Sequence, residues 1–170
     1  MRSQGAPDMK LIFNTMAVAT AFFAVAHAQN DAQSSVVDTA SNYLAAYSTF
    51  DVAKMAPFYA DDAVFTDPTS NDQIPGFEEF TFDGKDAILR GLGDYAAGYK
   101  SFSVHYDVKR RYESADNVVF IADLTYKGET KKGEPFAGGA PIVTVIKVKD
   151  GKVVRHTDYF DYRGNAVSFD

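Results

Sequence analysis

The chain has 170 residues, no cysteine, 46 % hydrophobic and 24 % charged residues, and a formal net charge of −6. That length suits one domain with a real core. The missing cysteine excludes a disulfide framework and a thiolate metal site, and the acidic balance argues against nucleic acid and an anionic membrane as partners.

The chain opens on a segment that does not belong to the fold. Met9-Lys10 precedes an apolar run from Leu11 to Ala26, which closes with Ala26-His27-Ala28. A basic start, a short apolar core and an Ala-x-Ala end are the marks of a secretory signal peptide. The run is too short and too rich in alanine for a membrane span. Residues 1–28 are therefore expected to be a cleaved leader and 29–33 a polar linker, with the protein exported to a periplasmic or extracellular space and free of the membrane after cleavage. Loss of Arg2, Asp8 and Lys10 would move the net charge from −6 to −7.

Ser34-Ser35 offers an N-cap, and apolar residues at 36, 37, 40, 43, 44, 47 and 50 fall at helical spacing. Asp51 caps a second, shorter helix through Val52, Met55, Phe58 and Tyr59, which Pro57 should kink or break. Ala63 to Asp67 alternates as a short strand and stops at Pro68. Thr69 to Phe82 reads as a loop, with Pro75-Gly76 as a turn and Glu78-Glu79 as solvated acids. A third helix starts at Asp83, runs through Ile88, Leu89, Leu92 and Tyr95, and ends near Gly98. Gly91 and Gly93 weaken it by ~1 kcal/mol each relative to alanine, so packing must compensate.

Four strands complete the chain. Ser101 to Tyr112 alternates, with His105 on a solvated face and Lys109-Arg110-Arg111 as a solvated strand end. Val118 to Tyr126 follows a turn at Asp116-Asn117. Phe136 to Lys149 is longer, and Gly138-Gly139 suggests a bulge or bend. Asp150-Gly151 is a two-residue hairpin signal, and Lys152 to Tyr162 is the last strand. Val143, Val145 and Val148, with Ile142 and Ile146, make the long strand apolar on both faces. One face covers helices, and the other points to a homodimer formed through the sheet. The expectation is an α+β domain over residues 34–164, followed by a tail over 165–170. Three N-terminal helices pack on a strongly curved, mostly antiparallel sheet to form a cone-shaped α+β barrel.

Strand side chains alternate faces, so Val154, His156, Asp158 and Phe160 look the same way. A carboxylate among apolar neighbours is costly to bury without a partner or a task. Asp123, set among Val119, Ile121 and Thr125, looks like a second such residue. Two acids facing one apolar interior indicate a cavity for chemistry or recognition. Asp158 would be a general base, Asp123 an acid, and His156 the group that holds them. Asp67, ahead of Pro68, is a cavity-mouth acid, and Tyr47 lines the helix side with Tyr43, Phe50, Phe58, Tyr59, Phe65 and Tyr95. No ligand spacing supports a metal site, and no cofactor is implied.

Three segments carry a family resemblance: Phe58-Tyr59-Ala60-Asp61-Asp62-Ala63-Val64-Phe65, Gly84-Lys85-Asp86-Ala87-Ile88, and Gly151-Lys152-Val153 leading to Asp158-Tyr159-Phe160-Asp161. With the order of elements over Ser34 to Gly164, they resemble the nuclear transport factor 2-like superfamily in its SnoaL-like branch. The resemblance implies the cone fold and a small-molecule pocket. The pocket is similar to that of limonene epoxide hydrolase, which implies Asp158 as base and Asp123 as acid. Ile121 stands where that family has its bridging arginine. Phe65 and Asp67 stand at its water-holding tyrosine and asparagine. The leading expectation is a protein that binds a small, mostly apolar, oxygen-bearing molecule. The alternatives are an acid–base enzyme of epoxide hydrolase, isomerase or cyclase type, and a non-catalytic dimerisation domain.

Overall fold

The computed structural model describes residues 35–70 and 80–162, all within one compact unit that begins at Ser35. The expected leader, the linker, the turn at Pro75-Gly76, the acids Glu78-Glu79 and the tail lie outside the described residues.

Helix α1 covers residues 35–47 and buries Val37, Ala40, Tyr43, Leu44 and Tyr47. This is the stripe that its spacing predicts. Helix α2, Val52–Met55, is capped by Asp51, whose Oδ1 accepts from the Ala53 N–H at 3.0 Å. The helix expected to reach Tyr59 stops here. Pro57 has no N–H to give and its ring would strike the carbonyl four residues back, so Tyr59 opens strand β1, Tyr59–Asp67, instead. Part of the expected loop is also a strand: β2, Phe80–Asp83, pairs antiparallel with β1. Helix α3, Lys85–Ala97, buries Ile88 and Leu92. A Cβ at Gly91 would lie 2.4 Å from the Phe82 ring. The glycine that weakens the helix is thus what lets β2 close onto it.

Strands β3 (Tyr99–Ser114), β4 (Asn117–Thr130), β5 (Pro135–Lys149) and β6 (Lys152–Phe160) follow as an antiparallel meander. The β5–β6 turn places Asp150 and Gly151 at φ 50° and 70°, the left-handed pair of a tight hairpin. Gly138-Gly139 is not a bulge. Its register with Tyr126 and Thr125 is unbroken, and a Cβ at Gly138 would sit 2.4 Å from the Tyr126 hydroxyl. The glycine makes room for a cross-strand ring. The breaks in register fall elsewhere, between Val108 and Arg110 and between Lys147 and Val148.

The sheet order is β2-β1-β6-β5-β4-β3, with β1 and β6 parallel. Helices and a curved six-stranded sheet make the cone-shaped α+β arrangement, which β2 and β3 leave unclosed at its edges. The main core lies between the helices and the sheet around Tyr43, Tyr59, Met55, Ile88 and Ile146. A second apolar cluster, Ala122, Leu124 and Ile142, lies farther along the same face, and Tyr106 packs against both. Among the described residues, no helix is long and apolar enough to cross a membrane.

Candidate functional site: a buried tyrosine–histidine–aspartate cluster

Strand register assembles the site. Phe65 and Thr66 of β1 pair in parallel with His156 and Thr157 of β6. Asp67 and Asp158 come one residue later on each strand, and the Asp158 charge acts on Asp67. Thr144 of β5 faces Asp158 from the other side. Asp67 and Asp158 are buried, at 6 % and 4 % exposure, and His156 is fully buried.

Asp158 accepts from the Thr144 hydroxyl at 2.5 Å through Oδ1 and from the Tyr47 hydroxyl at 3.3 Å through Oδ2. Nε2 of His156 lies 2.9 Å from Oδ1, yet its N–H direction misses the oxygen, so Nε2 has a charge contact but no hydrogen-bond partner. On the other side of the ring, Nδ1 lies 2.5 Å from the Tyr43 hydroxyl, which lies 2.5 Å from the Tyr59 hydroxyl. Tyr43 has one proton for two contacts. If Tyr59 donates to Tyr43 and Tyr43 to Nδ1, a neutral ring carries its proton on Nε2, facing the carboxylate. In the opposite direction the ring proton sits on Nδ1, and the Nε2 lone pair faces the carboxylate. Phe65 and Tyr47 wall the imidazole at 4.6 and 4.7 Å between ring centres.

Burial raises the pKa of Tyr43, with the neighbouring Tyr59 adding to it. Burial and then the Asp158 charge raise those of Tyr47 and Tyr106. These phenols are therefore held neutral and remain donors. The Tyr106 hydroxyl is buried and has no hydrogen-bond partner. Its surroundings on the inner face include the Asp158 charge, the Thr144 hydroxyl and the Asp67 charge.

Asp67 sits at the rim. Its Oδ1 accepts from the N–H and hydroxyl of Thr69, and Oδ2 from the Tyr162 hydroxyl at 2.5 Å. The Thr69 hydroxyl also accepts from the Phe160 N–H at 3.0 Å, which ties the end of β6 to the end of β1. Burial raises the Asp67 pKa; the Thr69 and Tyr162 hydrogen bonds oppose this, and the Asp158 charge adds to it. Phe160 is half-buried against the second cluster.

Two expected site residues lie elsewhere. Strand β4 buries Val118, Phe120, Ala122 and Leu124 and turns Val119, Ile121, Asp123 and Thr125 to the outer face. The Asp123 side chain is 59 % exposed and pairs with Lys109 at 3.4 Å. It does not meet Asp158, and the expected Asp123–Asp158 pair is not formed. Ile121 lines an outer groove of about 310 Å³ with Pro141, Val143 and Tyr159. Both faces of β4 carry apolar residues, and the helices cover the one with the larger side chains. The carboxyl that joins Asp158 on the inner face is Asp67. His105 is exposed, as its face predicts.

A family model described as a SnoaL-like domain matches residues 40–156. The chain belongs to this SnoaL-like domain family. The match takes in Asp67 and His156, and Asp158 follows two residues beyond it. A protein described as a SnoaL-like polyketide cyclase from Shewanella putrefaciens CN-32 superposes at a TM-score of 0.63 with 23 % identity, over 76 % of this chain and 91 % of that one. Its counterpart from Shewanella denitrificans OS-217 gives 0.63 with 20 % identity, over 76 % and 92 %. An LEH-like epoxide hydrolase from M. tuberculosis gives 0.58 with 17 % identity, over 78 % and 90 %. At these identities the likeness is one of fold. No curated protein matches the chain.

Sequence reasoning on this SnoaL-like domain missed Tyr106, Thr144, Thr69 and Tyr162. Thr144 carried a signal: between Ile142 and Ile146 it is the one hydroxyl in the inward phase of an apolar strand. Among the described residues no three histidine, aspartate or glutamate side chains gather as a metal site.

Proposed function

We propose that this SnoaL-like protein is exported and binds a small, mostly apolar, oxygen-bearing molecule against the inner face of its sheet. One observation carries the reading. Two buried polar atoms, Tyr106 Oη and His156 Nε2, have no hydrogen-bond partner; Nε2 lies 2.9 Å from Asp158, and Tyr106 Oη is near Thr144 and feels the Asp158 charge. An orphaned buried polar group costs ~1–3 kcal/mol, and an oxygen-bearing ligand relieves that cost. The neutral Tyr106 hydroxyl gives a hydrogen bond and Asp158 accepts one. Apolar walls come from Phe65 and the cluster of Ala122, Leu124 and Ile142. The test is mass spectrometry of molecules that co-purify with the wild-type protein, Asp158→Asn and Tyr106→Phe. The expected result is a common ligand in the wild type that both variants lose while staying folded by circular dichroism. Equal ligand content in all three would sink the proposal.

The same cluster favours a second reading, acid–base catalysis of isomerase, cyclase or hydrolase type. Asp158 is fixed by Thr144 and Tyr47, as a proton acceptor must be, and Asp67 rather than Asp123 is the carboxyl beside it.

The leader pattern at residues 9–28 supports export. The outer sheet face supports a homodimer: Val119, Ile121, Val143 and Val145 are half-buried there and Tyr159 is 46 % exposed. A Val143→Lys change should halve the mass seen by light scattering. A wild-type protein already monomeric at high concentration would remove the dimer.

A further inference from the structure

Two carboxylates side by side in an apolar interior repel each other as well as losing their hydration. Asp67 and Asp158 each follow the paired Thr66 and Thr157 of the parallel strands β1 and β6, and the Asp158 charge acts on Asp67. Asp67 is faced by Asp158 from β6, by Tyr162 just beyond it, by Tyr106 from β3 and by Thr69. Tyr47 of α1 and His156 lie at Asp158, and Tyr95 of α3 acts on Tyr162.

Among the described residues no lysine or arginine is buried. None is among the charges acting on Asp67, Tyr47, Tyr106 or Tyr162. His156 is the basic group in contact, and one imidazolium offsets one carboxylate at most. With both acids ionised, the site keeps at least one unmatched negative charge.

The rest of the surroundings suit a cation. Tyr47, Phe65 and Tyr106 bring aromatic rings to the site, and ring faces attract positive charge. Tyr106 Oη is buried without a hydrogen bond of good geometry, near the Thr144 hydroxyl and within the field of both acids.

We propose that the ligand of this pocket is a compact organic ammonium ion, held between the carboxyl groups of Asp67 and Asp158 and the ring of Tyr106. The proposal rests on the pocket reading above and names the ligand's charge. A bound cation supplies the missing positive charge and competes with a proton on Asp67, whose pKa burial raises. Binding therefore strengthens as pH rises through the Asp67 titration and releases protons.

The test compares choline with its uncharged carbon isostere, dimethylbutanol, by isothermal titration calorimetry on the wild-type protein. Measurements are made below and above the Asp67 midpoint, which carbon-13 NMR of the carboxyl groups supplies. Above the midpoint, choline should bind about tenfold or more tighter than the isostere, the scale of a desolvated cation–π contact. Below it, the preference should shrink. Asp67→Asn should remove the preference and the proton release together, while keeping whatever affinity the isostere has. Equal or tighter binding of the isostere would overturn the ammonium proposal and leave the pocket standing. No binding of either, together with a failed co-purification test, would overturn both.

Discussion

Asp158 on β6 and Asp123 on β4 occupy similar positions in the sequence, each an acid alternating with apolar residues, yet the structure treats them oppositely. Asp158 is buried, accepts from Thr144 and Tyr47, and lies against His156. Asp123 is mostly exposed and shares Lys109 with Asp107. The difference teaches that a period of two divides a strand into two faces without saying which face the helices cover. On β6 the exposed Arg155 and Tyr159 mark one phase as outer, which leaves His156 and Asp158 in the inner one. On β4 both sets were apolar, and Phe120 and Leu124 outweighed Val119 and Ile121.

The largest expected effect breaks this comparison open directly. Asp158→Ala leaves two buried hydroxyls without their acceptor and an imidazole without its charge contact, and should destabilise the fold by ~3 kcal/mol. Asp123→Ala should leave the urea midpoint unchanged within error, since it removes one exposed charge. Equilibrium urea unfolding of both variants, with the slope checked against wild type, decides it. Comparable losses would mean that the two carboxyls do not differ as described.

The fold was more legible than the site, for a physical reason. Helix α1, helix α3 and the β5–β6 hairpin follow from local chemistry: an apolar stripe, a terminal glycine, and the Asp-Gly turn. Strand β2 was lost because four residues, Phe80–Asp83, carry too little pattern, and their strand identity comes from pairing with β1. The site depends on pairing over long separations. Asp67 meets Asp158 only because the first strand docks parallel to the last, and no local feature of residues 59–67 announces that neighbour. Tyr106 of β3 comes into the field of the acids across the inner face of the sheet, again invisible locally. His156 and Asp158 were legible because a charge in the inward phase of an apolar strand is unusual in itself.

The smallest expected effect sharpens the comparison by adding Asp67, the second inner acid. Its pKa in the folded protein is raised, by burial first, and the Asp158 charge is one of the lesser causes. A carboxyl with a raised folded pKa favours folding in its protonated form. Its contribution is full below the ordinary aspartate range and is lost as pH rises through the raised value. Across that window the wild-type protein should lose stability relative to Asp67→Asn, and the difference should be flat on either side. Urea midpoints of the two proteins across the acidic range measure this. Adding Asp158→Asn to both should narrow the window without closing it, because burial remains. Adding Asp123→Asn should leave it unchanged, because that carboxyl lies on the other face of the sheet. A window that responds equally to both additions would show that charge reaches Asp67 through the sheet as readily as along its inner face, and the contrast between the two faces would fail.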